Sequence, residues 1–441
     1  MIEKYLVKKI TEPVDWKVTV PGSKSMTNRA LLMAVLSAGT VRVEGVLFSD
    51  DSRHFLACLV ALGFTVEIEE EKKCVTVTGC GGRIPREEAV IDVGSAGTAA
   101  RFLAAMLGFS DGCYEIRCSA QMKRRPMAEL FDLLSGAGAK ITFLEEEGHL
   151  PVRITGCRYA RADKTAGETP RELSLDITKS TQFLSALLLI APMFPEGMKI
   201  HITSEKTDGS YIRITRRMMQ EFGVSVAFDG RDYEVPCRSS YRKETYMVEP
   251  DMSAACYFYA AAAVTGGRAL VRHVHMDNTQ GDLRFLEVLE HMGCTADDTP
   301  EGILVTGPAD GALRGITVNM NDFSDQALTL AAIAPFADAP VRIEGIGHIR
   351  GQECDRIHAI QTNLTALGIR CEEEETAATI YPGSPHGGSV ETYDDHRVAM
   401  AFSLVGLRTD GIVIENPACC RKTFEDYFTV LSELTGKKTE A

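Results

Sequence analysis

The stretch Pro21 to Leu32, PGSKSMTNRALL, sets Lys24, Ser25 and Arg29 at the start of an apolar-periodic run. A helix start leaves backbone N–H groups unpaired and carries partial positive charge, so the chemistry this mixture suits is anion binding. Taken alone it is explained equally well by a Ser cap with solvated cations. A Walker A phosphate loop is excluded, because Ser23 stands where that motif needs its second glycine. Five further stretches put polar groups at the same place in an Ala/Leu-rich run: Ser95, Thr98 and Arg101; Ser180, Thr181 and Gln182; Asp251; Asp325; His396 and Arg397. Three loops add cations, KRRPM with Arg125, HIRGQECDR with His348 and Arg356, and CCRKTF with Arg421 and Lys422. Each loop by itself reads as a solvated charge run. Their equivalent positions point instead to a site for a ligand with several negative charges. Asp325 and Glu353 fall in the same positions, and a carboxylate beside an anion site is better explained by proton transfer than by binding.

The polar groups recur because the chain itself repeats. SKSMTNRALLMAVL, GSAGTAARFLAAML, KSTQFLSALLLIAP, PDMSAACYFYAAAAV, FSDQALTLAAIAPF and YDDHRVAMAFSLVG are six versions of one helix, each leading to a β-branched strand run such as TVRVEGV or PVRIEGI. A second helix follows and stops at Gly63, Gly138, Gly223, Gly293 and Gly368, glycine being the usual residue past a helix end. The sixth copy runs out at FEDYFTVLSELTG, so its missing strands are expected from the other terminus, in KYLVKKI and WKVTV. Residues 1–20 and 249–441 then form one domain of three units and residues 21–248 another. Two crossings near Pro21 and Glu249 would act as a hinge, and six helix starts would face a common cleft. A six-repeat solenoid would need polar end caps, and none is evident.

Composition narrows the function. A net charge of −14 over 441 residues disfavours a nucleic-acid partner and confines any anion site to local cations. Thirteen scattered cysteines, without a Cys-x-x-Cys pair, suit a reducing cytoplasm rather than a disulfide framework or a zinc site. No segment reads as a secretory signal or a membrane span.

PGSKSMTNRALL, GSAGTAAR, KRRPM, STQFLSALL, EPDMSAACYF, SDQALTLA, ECDR, DDHRVAMAFSL and RKTFEDYF, in this order, make the chain resemble the 5-enolpyruvylshikimate-3-phosphate synthase family. The resemblance implies an α/β fold, a two-domain inside-out α/β barrel of six βαβαββ units, three per domain, with the active site in the cleft. It implies transfer of the enolpyruvyl group from phosphoenolpyruvate to the 5-hydroxyl of shikimate 3-phosphate by a cytoplasmic monomer, without metal or organic cofactor. By the family pattern, Lys24, Gly97, Arg125, Gln182, Arg356, Arg397 and Lys422 surround phosphoenolpyruvate. Lys24, Ser25, Arg29, Ser180, Thr181, Gln182, Tyr211, Asp325, His348 and Gln352 surround shikimate 3-phosphate. Asp325 and Glu353 match the acid/base pair, with Lys24 as a further proton donor. Three positions depart from the pattern. Ser95 replaces an Asn, Gln352 replaces a Lys, and Asp208-Gly209-Ser210 replaces Ser-Lys-Pro ahead of Tyr211. The sister family that acts on UDP-N-acetylglucosamine uses a loop cysteine, for which Cys118 is the nearest candidate; its place at a strand end favours a structural thiol. A non-catalytic anion-binding scaffold would not need Asp325 and Glu353 together. An RNA-end-processing relative is disfavoured by the acidic charge and the absence of a basic stripe with aromatics.

Overall fold

The computed structural model describes residues 3–157, 169–308 and 312–436. All six expected first helices form: Lys24–Leu36, Gly97–Gly108, Thr181–Ile190, Met252–Thr265, Ala327–Ile333 and His396–Arg408. Their Ala and Leu content runs all round the helix, and a helix apolar on every side belongs in an interior. Gly97–Gly108 and Ala327–Ile333 are buried at every residue. The second helices are buried on one face only, as in Asp50–Ala61 and Ser210–Glu221. Gly63, Gly138, Gly223, Gly293 and Gly368, just past those helices, take φ of +92°, +106°, +91°, +104° and +83°, where a Cβ would be strained. No helix among the described residues is long and apolar enough to cross a membrane.

In each of the two halves of the chain three small sheets pack on three of these helices, each sheet built as a parallel strand pair extended by an antiparallel neighbour. In Glu88–Asp92, Cys113–Arg117, Val152–Thr155 and Lys140–Phe143, for example, the first pair is parallel and the rest antiparallel. The strands alternate buried and open positions, so one sheet face packs on helices and the other meets water. Helix inside and sheet outside is the inside-out α/β arrangement.

The chain forms two compact units, Met1–Pro21 with Pro250–Ala441, and Gly22–Glu249. Each has its own hydrophobic core. The origin of one strand differs from expectation. Lys4–Leu6 does pair with Ile412–Glu415 and completes the sixth sheet, which has three strands. WKVTV does not join it. Asp15–Val18 instead runs parallel to Arg268–Arg272 in the fourth sheet, with Trp16 opposite Ala269 and its ring edge-on to Phe258 at 6.4 Å. The strand that sequence order would assign to that sheet, Thr245–Met247, pairs with Thr40–Glu44 in the first. The two crossing segments have thus exchanged sheets. Alternation identifies a strand but carries no information about its partner.

Candidate active site

In the unit that holds both chain ends, three cations meet three carboxylates. Arg356, at the start of the Arg356–Ala366 helix, is 1% exposed and donates Nε to Asp395 Oδ2 at 2.8 Å, Nη1 to Asp325 Oδ1 at 3.0 Å and Nη2 to Glu353 Oε2 at 2.9 Å. Arg397 Nη2 donates to the second oxygen of Asp325 at 3.0 Å, and Lys422 Nζ lies 3.2 Å from Glu353 Oε1. Asp395 is fully buried and also caps the His396–Arg408 helix, accepting from Arg397 N at 2.8 Å. Ser324 and His348 hydrogen-bond at 2.7 Å, tying the turn that carries Asp325 to the one before Glu353. Burial pulls the Arg356 guanidinium down, but Asp395, Glu353 and Asp325 together outweigh it and hold it above its ordinary value. Buried charges are tolerable only when paired this closely. The set is formally neutral, so an arriving anion must take a cation away from a carboxylate.

The Gly22–Glu249 unit is built differently. Arg29 is 1% exposed, and its bonds all go to neutral acceptors: Thr215 Oγ1 at 2.8 Å, Ser25 O at 2.9 Å, Tyr211 O at 3.3 Å and Ser185 Oγ at 3.4 Å. Burial lowers its guanidinium to about 10. Its charge faces the rings of Phe102 and Tyr211. Lys24 Nζ lies 3.3 Å from Asp51 Oδ2, and Asp51 is itself buried. At the start of the Gly97–Gly108 helix, a methyl on Gly97 would lie 2.6 Å from Arg125 Nη1 and 2.8 Å from Arg101 Nη1. Bare glycine is what allows both guanidiniums to approach. Gln182 Oε1 is buried without a hydrogen-bond partner among the described residues, and such a group calls for an external donor.

Of the residues singled out by sequence, Asp325, Glu353, Arg356, Arg397 and Lys422 converge in one unit. Ser25, Arg29 and Tyr211 do so in the other, and Gly97 stands with Arg125. Ser180 spends its hydroxyl on capping, accepting from Gln182 N at 3.2 Å. Thr181 lies beside Gly209, where a Cβ would come 3.5 Å from Thr181 Cγ2 and 3.6 Å from Lys206 Cε. Gln352 makes no side-chain hydrogen bond among the described residues; its N–H donates to Ile349 O at 3.4 Å. Within the cationic loops one member is buried and its neighbours are not. Arg125 and Lys422 are buried, while Lys123 bonds Glu145 at 2.6 Å and Arg350 bonds Asp355 at 2.7 Å. Asp208 is already engaged, with Arg213 at 3.0 Å and Tyr233 OH at 3.2 Å. Lys179 pairs with Glu129 at 2.7 Å. Asp51, Asp395, Ser253 and Asp282 were not singled out. Asp395 and Ser253 stood inside quoted motifs, DDHR and DMSA, but nothing local distinguished them from helix caps. Burial pushes the Cys118 thiol up to about 11, the wrong direction for a nucleophile.

Comparison with known proteins matches the chain to one family. The sequence model described as EPSP synthase (3-phosphoshikimate 1-carboxyvinyltransferase) matches residues 8–431. A relative of that name from Trichormus variabilis is 41% identical over 429 residues, covering 97% of this chain and 98% of its own. One from Sulfurovum is 39% identical over 427 residues, covering 96% and 97%. Among solved structures, an EPSP synthase from Acinetobacter baumannii aligns with a TM-score of 0.77 at 25% identity, over 98% of this chain and 97% of that one. The enolpyruvyl transferase NikO from Streptomyces tendae aligns with a TM-score of 0.71 at 17% identity, over 98% and 97%, a likeness of fold.

Proposed function

The chain belongs to the EPSP synthase family, and from that premise we propose how its residues divide the reaction. The reaction carries the enolpyruvyl group of phosphoenolpyruvate to the 5-hydroxyl of shikimate 3-phosphate and releases phosphate, a step of aromatic amino acid biosynthesis. Arg356, Arg397 and Lys422, with Lys24, Gly97, Arg125 and Gln182, bind phosphoenolpyruvate. Ser25, Arg29, Ser180, Thr181, Tyr211, His348 and Gln352 bind shikimate 3-phosphate.

The observation that carries this reading is Asp325, held between Arg356 and Arg397 with one oxygen to each. In the free protein the carboxylates stand in for substrate anions. When the carboxylate and phosphate of phosphoenolpyruvate compete for those guanidiniums, Asp325 loses the cations that stabilise its charge and becomes a better base. It then accepts the proton of the 5-hydroxyl as that oxygen attacks C2 of phosphoenolpyruvate. Lys24, or Glu353 once it has taken up a proton on losing its cation partners to the substrate, gives a proton to the methylene carbon C3, which completes a tetrahedral ketal phosphate. Loss of a proton from the new methyl group to the same residue and departure of phosphate restore the enol. Binding thus switches on the base, and a carboxylate amid cations gains a purpose beyond neutralising them. The work is assigned to a cytoplasmic monomer, the cytoplasmic setting in keeping with thirteen free cysteines.

The deciding assay follows phosphate release from phosphoenolpyruvate with shikimate 3-phosphate or UDP-N-acetylglucosamine as acceptor. Turnover with the second alone would overturn the reading. Arg29, a buried cation with only neutral partners, is assigned to the substrate carboxylate. Arg29→Lys keeps the charge but loses the planar fork, so KM for shikimate 3-phosphate should rise by on the order of tenfold while KM for phosphoenolpyruvate stays within a few-fold. Equal rises in both would remove Arg29 from that subsite. Gln352→Lys should tighten shikimate 3-phosphate about fivefold, roughly 1 kcal/mol, with a steeper salt dependence. Calorimetry showing no gain would mean that Lys206, beside Thr181, already supplies the charge.

A further inference from the structure

Asp282 lies in the Gly281–Arg284 turn, is 7% exposed, and accepts the hydroxyl proton of Ser253 at the start of the Met252–Thr265 helix. Ser253 Oγ accepts in turn from Arg397 Nη2 at 3.4 Å, the same nitrogen that donates to Asp325 Oδ2 at 3.0 Å. A hydroxyl has one proton and two lone pairs, so committing the proton to Asp282 leaves a lone pair for Arg397. The turn is pinned to the helix start. Gln280 Nε2 donates to Pro250 O at 2.7 Å, Met252 N donates to Gln280 Oε1 at 3.3 Å, and Cys256 Sγ donates to Asp282 O at 3.6 Å.

We propose that Asp282 is a positioning residue, which orients Arg397 against Asp325 through the Ser253 hydroxyl. This rests on the reading of Asp325 as the base. The charged and titratable groups around Asp282 are Asp325, Arg397, Asp251 and Cys256. Burial pushes its carboxyl up to about 7, with Asp325 and Asp251 adding to the rise and Arg397 and the Ser253 bond opposing it. Asp282 therefore keeps its proton to higher pH than an exposed carboxyl does, one hydroxyl away from the guanidinium that holds the base.

The test measures kcat and both KM values from pH 5.5 to 9 for the wild type, Asp282→Asn and Ser253→Ala. Asp282→Asn retains an acceptor oxygen but does not titrate. Its kcat should fall by on the order of tenfold, with KM for shikimate 3-phosphate within a few-fold, because small misplacements of a catalytic group are costly. The wild-type kcat/KM profile is expected to carry an inflection above the ordinary carboxylate range, and that inflection should be absent from Asp282→Asn. Ser253→Ala should reproduce the loss of kcat. A folded-state pKa near 7 against ~4 unfolded means that the folded wild type binds more protons between those values and loses stability as pH rises through them. That slope should be absent in Asp282→Asn. Unchanged kcat and pH profile in Asp282→Asn overturns the proposal, and if that variant does not fold, unchanged kcat in Ser253→Ala overturns it. An active Asp325→Asn enzyme would instead remove the base on which the proposal rests, a distinguishable failure.

Discussion

Asp325→Asn should abolish turnover while leaving both ligands bound within a few-fold. Asparagine preserves the shape of the side chain and one acceptor oxygen toward the two guanidiniums that Asp325 bridges at 3.0 Å each. It cannot accept the proton of the attacking hydroxyl. A positioned proton acceptor contributes about 10²–10⁴-fold to rate, and the loss should fall on kcat rather than on KM. Calorimetry should find phosphoenolpyruvate bound as tightly or more tightly, since a neutral amide competes less well for Arg356 and Arg397 than a carboxylate does. A variant with near-normal kcat would take Asp325 out of the mechanism. A variant that binds neither ligand would make it an anchor for the cations.

Arg356→Met should be the most destabilising single change in this cluster. The side chain is buried and serves three carboxylates, one of them, Asp395, fully buried. Removing one partner of a buried ion pair costs about 3–5 kcal/mol, because the charge left behind has neither water nor a counter-ion. The unit containing Arg356 should therefore unfold at lower denaturant than it does in the wild type. Adding Asp395→Asn should recover part of the loss, since residues sharing one network are not additive. If Arg356→Met and Asp395→Asn each destabilise and their effects simply sum, the pair is not coupled and the cluster is weaker than its distances suggest.

The six first helices, their second helices and the glycine stops could be read from sequence because each depends on residues close together in the chain. Helix starts need a polar group before an apolar run, and Gly63 or Gly368 needs only its own φ. Partners were harder. Lys24 meets Asp51, Arg356 meets Asp395, and Ser253 meets Asp282 across about thirty to forty residues, after which side-chain type alone cannot tell an ion pair from two solvated charges. The same limit hid which cation of KRRPM is buried, since Lys123 and Arg125 differ in their surroundings rather than in their spacing. It also misassigned WKVTV, whose alternation is correct for a strand in any of the six sheets.

That exchanged strand bears on how the protein is made. Lys4–Leu6 and Asp15–Val18 leave the ribosome long before their partners, Ile412–Glu415 and Arg268–Arg272. At about 5–20 residues per second, the earlier strand waits on the order of 20–80 s for its neighbour. Meanwhile Gly22–Glu249 is threaded between them and closes its own first sheet only when Thr245–Met247 emerges. Tyr5 and Val7 spend that interval, and Trp16 and Val18 the shorter wait of about 13–50 s for Arg268–Arg272, as unpaired apolar parts of the nascent chain, all four being buried at the end. Trp16 is the only tryptophan, so its emission in stalled chains records the arrival of Arg268–Arg272 rather than the folding of the residues that follow it in sequence.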